Sequence, residues 1–308
     1  HDDAGELWQR LIDKKGENQL AREAFGKQIR LLEEELGIQI FIRSGKRVVS
    51  VSQPGKAVLE ISERILRDVQ NIKNIGSEFT DHDSGSLTIA TTHTQARYAL
   101  PKIVAEFVKN YPKVNLTIKQ GSPSAIAQMV SSGEADLAII TERIDDHPEL
   151  GKLPCYEWNH AVIVPHDHPL LDCRNPLSLE DLASFPLVTY EFAFNSGSSI
   201  ARTFNKAHIE QPDVALSAAD TDVLKTYVRL GLGVGLMAKM AYDPVVDQDL
   251  QLIDAAHLFE PSPTWIALRT DTYLRGYAYD FIQMFAPKLT REAVDRILYT
   301  PVVEDFSI

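Results

Sequence analysis

The sequence has very little cysteine and no long apolar run. Its only two cysteines among 308 residues are Cys155 and Cys173, too few for a disulfide framework or a cysteine-based zinc site. No stretch approaches the roughly 20 apolar residues that a membrane helix requires. The first residues are polar and acidic, unlike a signal peptide. We therefore expect a cytoplasmic protein that does not contact membranes.

Motifs of catalysis and cofactor binding are also lacking. There is no G-x-S-x-G nucleophile elbow, and Glu33, Glu34 and Glu35 are interpreted as a solvated helix face. The string GLGVG at 231–235 follows a predicted helix and precedes a strand, the reverse of a dinucleotide fingerprint. His166 and His168 lie in a proline-flanked loop without a third ligand nearby. We predict no enzyme, no cofactor and no metal site.

Positive charge is scarce overall, and its distribution along the chain is uneven. The net charge is −12, which argues against non-specific nucleic-acid binding by the whole molecule. Up to Asp83 there are 13 Lys and Arg against 15 Asp and Glu, so this part is close to neutral. It also contains a basic cluster at Arg43, Lys46 and Arg47. Any role in nucleic-acid binding therefore belongs to the N-terminal quarter.

The N-terminal region combines helices with a basic hairpin. Residues 20–36 place Ile29, Leu32 and Leu36 on one helical face, and Gly37 is positioned to end that helix. Residues 38–52 alternate and turn at 44–45, which predicts a β-hairpin. This pattern is typical of a winged helix-turn-helix, predicted here for residues 1–56. A small α+β unit with a solvated charged turn explains the pattern equally well.

A long helix is predicted next, followed by a polar hinge. Apolar residues recur every three or four positions and form a narrow stripe: Val58, Ile61, Ile65, Val69 and Ile72. Such a stripe is typical of a coiled-coil seam and predicts a homodimer. An amphipathic helix lying on its own domain is the alternative. We assign residues 57–83 to this linker helix and hinge.

The remaining residues, 84–308, alternate strands and helices and predict an α/β domain of two lobes with parallel sheets. Strands are predicted at 87–90, 114–119, 137–141, 160–164, 187–190, 214–217, 233–237 and 265–268. Helices are predicted at 95–108, 124–132, 179–183, 199–207, 221–230 and 273–285. Ligands of such sheets bind beyond the carboxyl ends of the strands. Thr92 and Thr141 each follow a predicted strand and are expected to meet there.

The run TTHTQARYALP at 91–101 is the most informative local pattern. Thr92 and Gln95 have the spacing of a capping box, which predicts a helix start directly after a buried strand. Free amides and the helix dipole at such a point attract anions. Arg97 is the nearest cation, so the pattern suits a small carboxylate or oxyanion held by hydrogen bonds. An ordinary capped helix with nothing bound is the alternative interpretation.

Several strings resemble the LysR-type transcriptional regulators. The segment KQIRLLEEELGIQIFIRSGKR (27–47) is similar to the end of their recognition helix and the wing, and VSQPGK (51–56) to the start of their linker helix. The effector region is most similar to that of regulators of cysteine biosynthesis, over the strings TTHTQARYALP, QGSPSAIAQMV (120–130), LPCYEWN (153–159), KTYVRLGLGVG (225–235) and YDFIQMFAPKLTREAVD (279–295). The resemblance covers roughly residues 27 to 300.

The resemblance implies an effector domain like a periplasmic binding protein, with a small anion between its lobes. It implies an acetylserine-type inducer (N-acetylserine or O-acetylserine), sulfate or thiosulfate as effector. The implied effector-binding residues are Thr92, Thr94, Gln95, Thr141 and Asn195, with Ser196 as a substitute for Asn195. A role for Tyr156 and Trp158 at a lobe crossing is also implied.

The resemblance also implies promoter DNA as a partner and a homotetramer built from dimers. The implied DNA-binding residues are Lys27, Gln28, Arg30, Arg43, Lys46 and Arg47, whose cations would mostly hold phosphates. Residues 1–26 depart from the family, because AREAFG at 21–26 replaces its usual S-Q-P-x-x-S turn.

Taken together, the resemblance leads us to expect an anion-controlled regulator of sulfur-assimilation genes. The alternatives are a solute-binding protein that does not bind DNA, a sulfonate-responsive sister regulator and, third, an enzyme acting on an acetylated amino acid.

Overall fold

The computed structural model describes residues 19–45, 47–141, 147–173, 176–195, 198–209 and 212–299. Side chains are described from Gly26 onward, except that of Arg47. The chain divides into two compact units after Lys73. No helix in these ranges is long and apolar enough to cross a membrane.

The first unit contains a helix, a hairpin and the start of a long helix. Helix α1 (Gln19–Leu36) is followed by strands β1 (Phe41–Ser44) and β2 (Arg47–Val51) and by α2 (Gln53–Thr80). Gly37 ends α1 with a φ of +65°, a conformation that favours glycine. The strands pair antiparallel, with Phe41 opposite Val51. The predicted helix end and hairpin are confirmed.

Glu33 corrects the interpretation of a solvated helix face. The residue is only 8% exposed, and its carboxylate accepts hydrogen bonds from the amides of Ile40 (2.8 Å) and Phe41 (3.0 Å). It also pairs with Arg43 at 2.7 Å. Burial raises the pKa of Glu33, but these bonds outweigh it and hold the pKa below its usual value. The reason for the error is that the hairpin starts against this face of α1.

The apolar stripe of α2 is exposed. Ile61, Ile65, Val69 and Ile72 are between 42% and 68% exposed. Within the first unit the described residues therefore leave the stripe uncovered. An exposed apolar seam of this length is what a second helix would cover.

The second unit is built on two five-stranded sheets. The first sheet has the order β4-β3-β5-β12-β6 and the second β11-β7-β10-β8-β9. The strands are β3 (Ser84–Thr91), β4 (Lys113–Gln120), β5 (Leu137–Ile140), β6 (Leu150–Trp158), β7 (His160–Pro165), β8 (Leu187–Tyr190), β9 (Val214–Ala218), β10 (Val234–Ala238), β11 (Leu250–Asp254) and β12 (Ser262–Arg269). Each sheet with its helices has its own apolar core, and we call them the first and second lobes. The predicted two-lobed α/β architecture is confirmed.

The prediction of parallel sheets holds for β3 with β4 and β5, and for β8 with β9 and β10, but each sheet is mixed. In the first sheet β12 runs antiparallel to both β5 and β6, and in the second β7 runs antiparallel to both β10 and β11. The reason lies in the connections. The chain passes between the lobes at Asn159 and again between β11 and β12, and each crossing brings a strand into its sheet in the opposite direction.

The helices agree with the predictions except at two places. The second unit contains α3 (Pro101–Asn110), α4 (Pro123–Ser131), α5 (Leu179–Ala183), α6 (Ser199–Lys206), α7 (Thr221–Arg229), α8 (Gly276–Phe285) and α9 (Arg291–Tyr299). The single helix predicted for 95–108 is instead a π-helical turn, Gln95–Ala99, followed by α3. Pro101, which lacks an amide hydrogen, starts the new helix. Helix α9 was not predicted.

The GLGVG string lies just past the end of a helix and packs closely. Gly231 follows Leu230, the C-cap residue of α7, and a Cβ on Gly233 would lie 2.3 Å from the carbonyl oxygen of Pro186. In the PHDHP loop, His166 bonds with the carbonyl oxygen of Gln248 at 2.6 Å. The His168 ring accepts from the amide of Leu170 at 3.1 Å. His168 thus serves a local turn, whereas His166 contacts a segment 82 positions away in the sequence.

Candidate effector site

A cavity of about 340 Å³ lies between the two lobes. The first lobe contributes the segments that follow β3 and β5, and the second contributes the end of β8 and the start of α6. The crossing strands β6, β7 and β12 contribute most of the remainder, together with Ala238 at the end of β10 and Glu260 and Pro261 before β12. The polar side chains of the lining include Thr92, Thr94, Gln95, Thr141, Trp158, His160, Tyr190, Ser198, Ser199 and Ser262. The size suits a small metabolite.

Four of the predicted effector residues lie together in this cavity. Thr92, Thr94, Gln95 and Thr141 all line it, and each is less than 9% exposed. The parallel pairing of β3 with β5 places Thr91 opposite Ile139, so the segments after the two strands end side by side. The meeting of Thr92 and Thr141 predicted from the strand order is thereby found.

The predicted helix start after Thr92 is found, because helical residues begin at His93 and Thr94 already has helical dihedral angles. The predicted capping role of Gln95 is wrong. The side chain of Gln95 is used elsewhere, because its amide oxygen accepts from the hydroxyl of Tyr156 at 2.5 Å. Tyr156 lies on the strand that leads to the second lobe. The spacing of Thr92 and Gln95 in the sequence did not reveal that Tyr156 would bind the Gln95 side chain.

Asn195 does not belong to the cavity. It is exposed and absent from the lining, and its amide closes a turn onto the carbonyl of Phe192 at 3.1 Å. Ser196 lies outside the described residues. Ser198 and Ser199, at the start of α6, line the cavity instead. Ser198 caps α6 by accepting from the amide of Ala201 at 3.0 Å. The turn that Asn195 closes therefore leaves Asn195 facing solvent and places the start of α6 at the cavity.

The crossing strands bring two aromatic side chains to the cavity. Trp158 and His160 both line it, with their ring centres 4.7 Å apart. Burial lowers the pKa of His160 to about 4, so its imidazole is neutral near pH 7. Trp158 Nε1 and His160 Nδ1 are buried without a hydrogen-bond partner in the described structure. Buried polar groups normally have partners, so a donor at Trp158 and a donor or acceptor at His160, depending on its tautomer, remain unused beside the cavity.

The charged side chains that line the cavity, Glu157, Arg202 and Glu260, are all exposed to solvent. Arg202 lies 3.8 Å from Glu260, with side chains 46% and 63% exposed. Arg97 points away and pairs with Asp222 at 3.3 Å. The buried end of the cavity, near Thr92 and Thr141, thus offers hydroxyl and amide dipoles.

The segment 93–98 holds the second lobe through a row of polar contacts, which we call the interlobe clasp. His93 bonds with Asp220 at 3.1 Å, and Arg97 and Tyr98 both bond with Asp222. Tyr98 also accepts from the buried Lys225 at 3.2 Å. His93, Asp220 and Asp222 have the proximity of metal ligands, but both carboxylates are already used in the clasp and in capping α7.

The predicted DNA-binding residues lie in the first unit. Lys27, Gln28 and Arg30 are exposed on α1. Arg43 is half-buried and bound to Glu33, which gives it a structural role that the sequence did not reveal. Lys46 and the side chain of Arg47 lie outside the described residues.

Comparison with known proteins identifies relatives over most of the chain. The LysR substrate binding domain family matches residues 80–290. The chain is 50% identical over 272 residues to the HTH-type transcriptional regulator SsuR of Burkholderia cenocepacia, covering 88% of each protein. It is 49% identical to the HTH-type transcriptional regulator CysB of the same organism, covering 88% of this chain and 86% of that protein.

Solved structures agree with this result. The cofactor-binding domain of the Cbl transcriptional regulator is 39% identical with a TM-score of 0.65, covering 70% of this chain and 95% of that one. A full-length OxyR variant of Pseudomonas aeruginosa, 20% identical, has a TM-score of 0.61 and covers 86% of this chain and 87% of its own. At that identity the likeness concerns the fold alone.

Proposed function

The chain belongs to the LysR family of transcriptional regulators, and we propose that it controls sulfur-assimilation genes in response to a small anion bound between its lobes. Like its relatives, which are transcriptional regulators, it is a regulator and not an enzyme. The resemblance of its effector region to regulators of cysteine biosynthesis supports the sulfur assignment. The effectors proposed are an acetylserine-type inducer, sulfate or thiosulfate.

The observation that carries the proposal is the buried group of hydroxyl and amide side chains at one end of the cavity. Thr92, Thr94, Gln95 and Thr141 are less than 9% exposed and line the same space. Hydroxyl and amide groups donate hydrogen bonds to an anion without the strong attraction of a lysine or arginine. Binding of this kind is reversible at metabolite concentrations, as a sensor requires.

Residues 1–56 of the first unit are proposed to form a winged helix-turn-helix, with β1 and β2 as the wing. Residues 57–83 would be the linker helix and hinge, and 84–308 the effector domain. The exposed stripe of α2 supports pairing with a second copy, and the family resemblance supports tetramers. Promoter DNA would be held by Lys27, Gln28, Arg30, Arg43, Lys46 and Arg47.

Regulation is proposed to work by a shift of populations. The anion would favour one arrangement of the lobes and thereby of the helices that carry the DNA-binding units. A ligand shifts such an equilibrium only by its differential affinity for the two states. The anion must therefore contact both lobes, and the cavity has lining residues from both.

Calorimetric titration with sulfate, thiosulfate, N-acetylserine and O-acetylserine tests the effector site. Replacing Thr141 by Ala should weaken binding by about 1.5 to 3 kcal/mol, the range for a hydrogen bond to a charged group. Thr117, an exposed residue of β4, provides the matched control as Thr117→Ala. If none of the four compounds binds, or if Thr141→Ala binds them all as tightly as the unaltered chain, the site is assigned wrongly.

DNA binding is tested by the salt dependence of promoter affinity. Each phosphate contact contributes about 0.9 to the slope of log K against log salt concentration. Replacing Arg47 by Gln should lower the slope by about that amount if the hairpin is a wing. An unchanged slope would show that the hairpin tip does not contact phosphates.

A further inference from the structure

Three hydroxyl groups from both lobes form a closed ring at the edge of the cavity. Thr94 of the first lobe lies 2.9 Å from the hydroxyl of Thr221 and 3.3 Å from that of Tyr190, measured between oxygens. Tyr190 and Thr221, both of the second lobe, lie 3.0 Å apart. All three residues are at most 8% exposed. Thr94 and Tyr190 line the cavity.

The number of protons in this ring limits what it offers to a ligand. Each hydroxyl carries one proton and two lone pairs. When the ring is closed, each oxygen donates to one neighbour and accepts from the other, so no proton is left for the cavity. Tyr190 uses its second lone pair for the amide of Ala238, at 3.2 Å. Thr94 in the closed ring therefore presents only a lone pair to a guest, which repels an anion.

We propose that Thr221 and Tyr190 are positioning residues that redirect the Thr94 proton to the effector anion. This inference rests on the effector site proposed above. When the anion enters, Thr94 turns its proton to the anion and keeps accepting from Thr221. The ring opens into a chain in which Tyr190 donates to Thr221, Thr221 to Thr94, and Thr94 to the anion.

The exchange favours binding for two reasons. A neutral hydrogen bond within the ring is replaced by one to a charged group, which is roughly twice as strong. Hydrogen bonds in a chain also polarise one another, so the two second-lobe hydroxyls strengthen the donor that contacts the ligand. The second lobe thus influences affinity through Thr221, a residue that is absent from the cavity lining.

The chain of hydrogen bonds through Thr221 also connects ligand binding to the contact between the lobes. Thr221 is the first residue of α7, directly beside Asp220 and Asp222 of the interlobe clasp. A proton chain through Thr221 exists only when the segment 93–98 and α7 are in contact. An anion that favours the open chain therefore stabilises that contact, which is the differential affinity that the regulatory mechanism needs.

Calorimetry with sulfate and with N-acetylserine as probes tests the inference on the full chain. Thr221→Val keeps the shape of the side chain and removes the hydroxyl, and we expect affinity to fall about three- to tenfold. Thr221→Ser restores the hydroxyl and should restore affinity. Equal midpoints of thermal unfolding for the two variants show that the fold is unaffected. Should Thr221→Val alter the midpoint, the comparison with Thr221→Ser still isolates the hydroxyl.

A double-mutant cycle separates positioning from general structural damage. In a Thr94→Val background the hydrogen-bond chain no longer reaches the anion. Thr221→Val should then cause no further loss of affinity. Undiminished binding by Thr221→Val, or an equal loss in both backgrounds, would overturn the inference. If Thr141→Ala weakens binding but Thr221→Val does not, the inference fails and the proposed effector site stands. Absence of binding by the unaltered chain would overturn both.

Discussion

The guanidinium of Arg275 donates a hydrogen bond to the carboxylate of Glu78 across 3.0 Å, although 197 positions separate the two residues. Arg275 also donates to the carbonyls of Ser77 and Asp81, at 3.3 and 2.7 Å. The amide of Gly276, the first residue of α8, donates to the same carboxylate at 3.2 Å. The last turn of α2 is thereby fastened to the start of α8 in the first lobe.

Removing the charge of Glu78 should loosen this attachment. Arg275 is 8% exposed at its side chain, so Glu78→Gln leaves a largely buried cation with a weaker partner. We expect the free energy of unfolding to fall by about 1 to 3 kcal/mol, measured by urea titration. Glu60→Gln, at an exposed position of the same helix, should change it by less than about 0.5 kcal/mol. Equal effects of the two substitutions would contradict a fastening role.

Much of the second unit follows from sequence pattern, and its exceptions have physical causes. Strand β8 has the predicted bounds because Leu187 to Tyr190 are buried throughout and its valine, threonine and tyrosine are residue types that favour strands. The two missed strands, β6 and β11, lie at sheet edges. Edge strands tolerate polar residues and proline, here Lys152, Pro154 and Gln251. A hydrophobic pattern does not identify such strands.

Replacing Arg43 should destabilise the first unit because Glu33 would lose its charged partner. For Arg43→Gln we expect the free energy of unfolding near pH 7 to fall by about 1 to 3 kcal/mol. The pKa of Glu33 is lowered in the folded chain. Its contribution is therefore present above its unfolded pKa, about 4.3, and disappears as pH falls through the lower folded pKa.

Urea titrations at pH 7 and at pH 3 measure this effect. The difference in unfolding free energy between Arg43→Gln and the unaltered chain should be smaller at pH 3 than at pH 7. Arg30→Gln, at an exposed position of α1, is the control and should have little effect at either pH. A cost of Arg43→Gln that is independent of pH would mean that the Glu33 charge is not what Arg43 stabilises.

The first-lobe half of the proposed effector site could be predicted from the sequence, and the second-lobe half could not. Thr92 and Thr141 follow strands, and topology brings strand ends together. Tyr190 and Thr221 meet Thr94 from 96 and 127 positions away. They do so through the packing of one lobe on the other, which no local spacing encodes. Glu33 was misjudged for the same reason, since its partners in and before the hairpin are set by tertiary contact.

His160 should make stability depend on pH below neutrality. Burial lowers its pKa to about 4 in the folded chain, whereas a histidine in an unfolded chain has a pKa of about 6.5. Between these values the unfolded state binds more protons, so stability rises with pH in this window and is lost as pH falls. His160→Gln removes this titration and should flatten the profile of unfolding free energy between about pH 6.5 and about pH 4.

His82, with a side chain 72% exposed, is the control for that profile. His82→Gln should leave the pH dependence of stability as it is in the unaltered chain. A His160→Gln profile as steep as that of the unaltered chain would show that another group causes the loss of stability in acid.

Two glycines of α2 should respond in opposite directions to the same substitution. A Cβ on Gly55 would lie 2.1 Å from the carbonyl oxygen of Ile40, a buried residue next to β1. Gly55→Ala must therefore displace the start of α2 from the hairpin. We expect it to lower the free energy of unfolding by about 1 to 3 kcal/mol.

Gly76, further along the same helix, has open space around its Cβ position. Gly76→Ala reduces the entropy of the unfolded chain and should raise the free energy of unfolding by about 0.5 to 1 kcal/mol. Urea titration of both variants at one pH gives the two signs directly. If Gly55→Ala were as stable as Gly76→Ala, the close approach of α2 to the Ile40 backbone would not exist in solution.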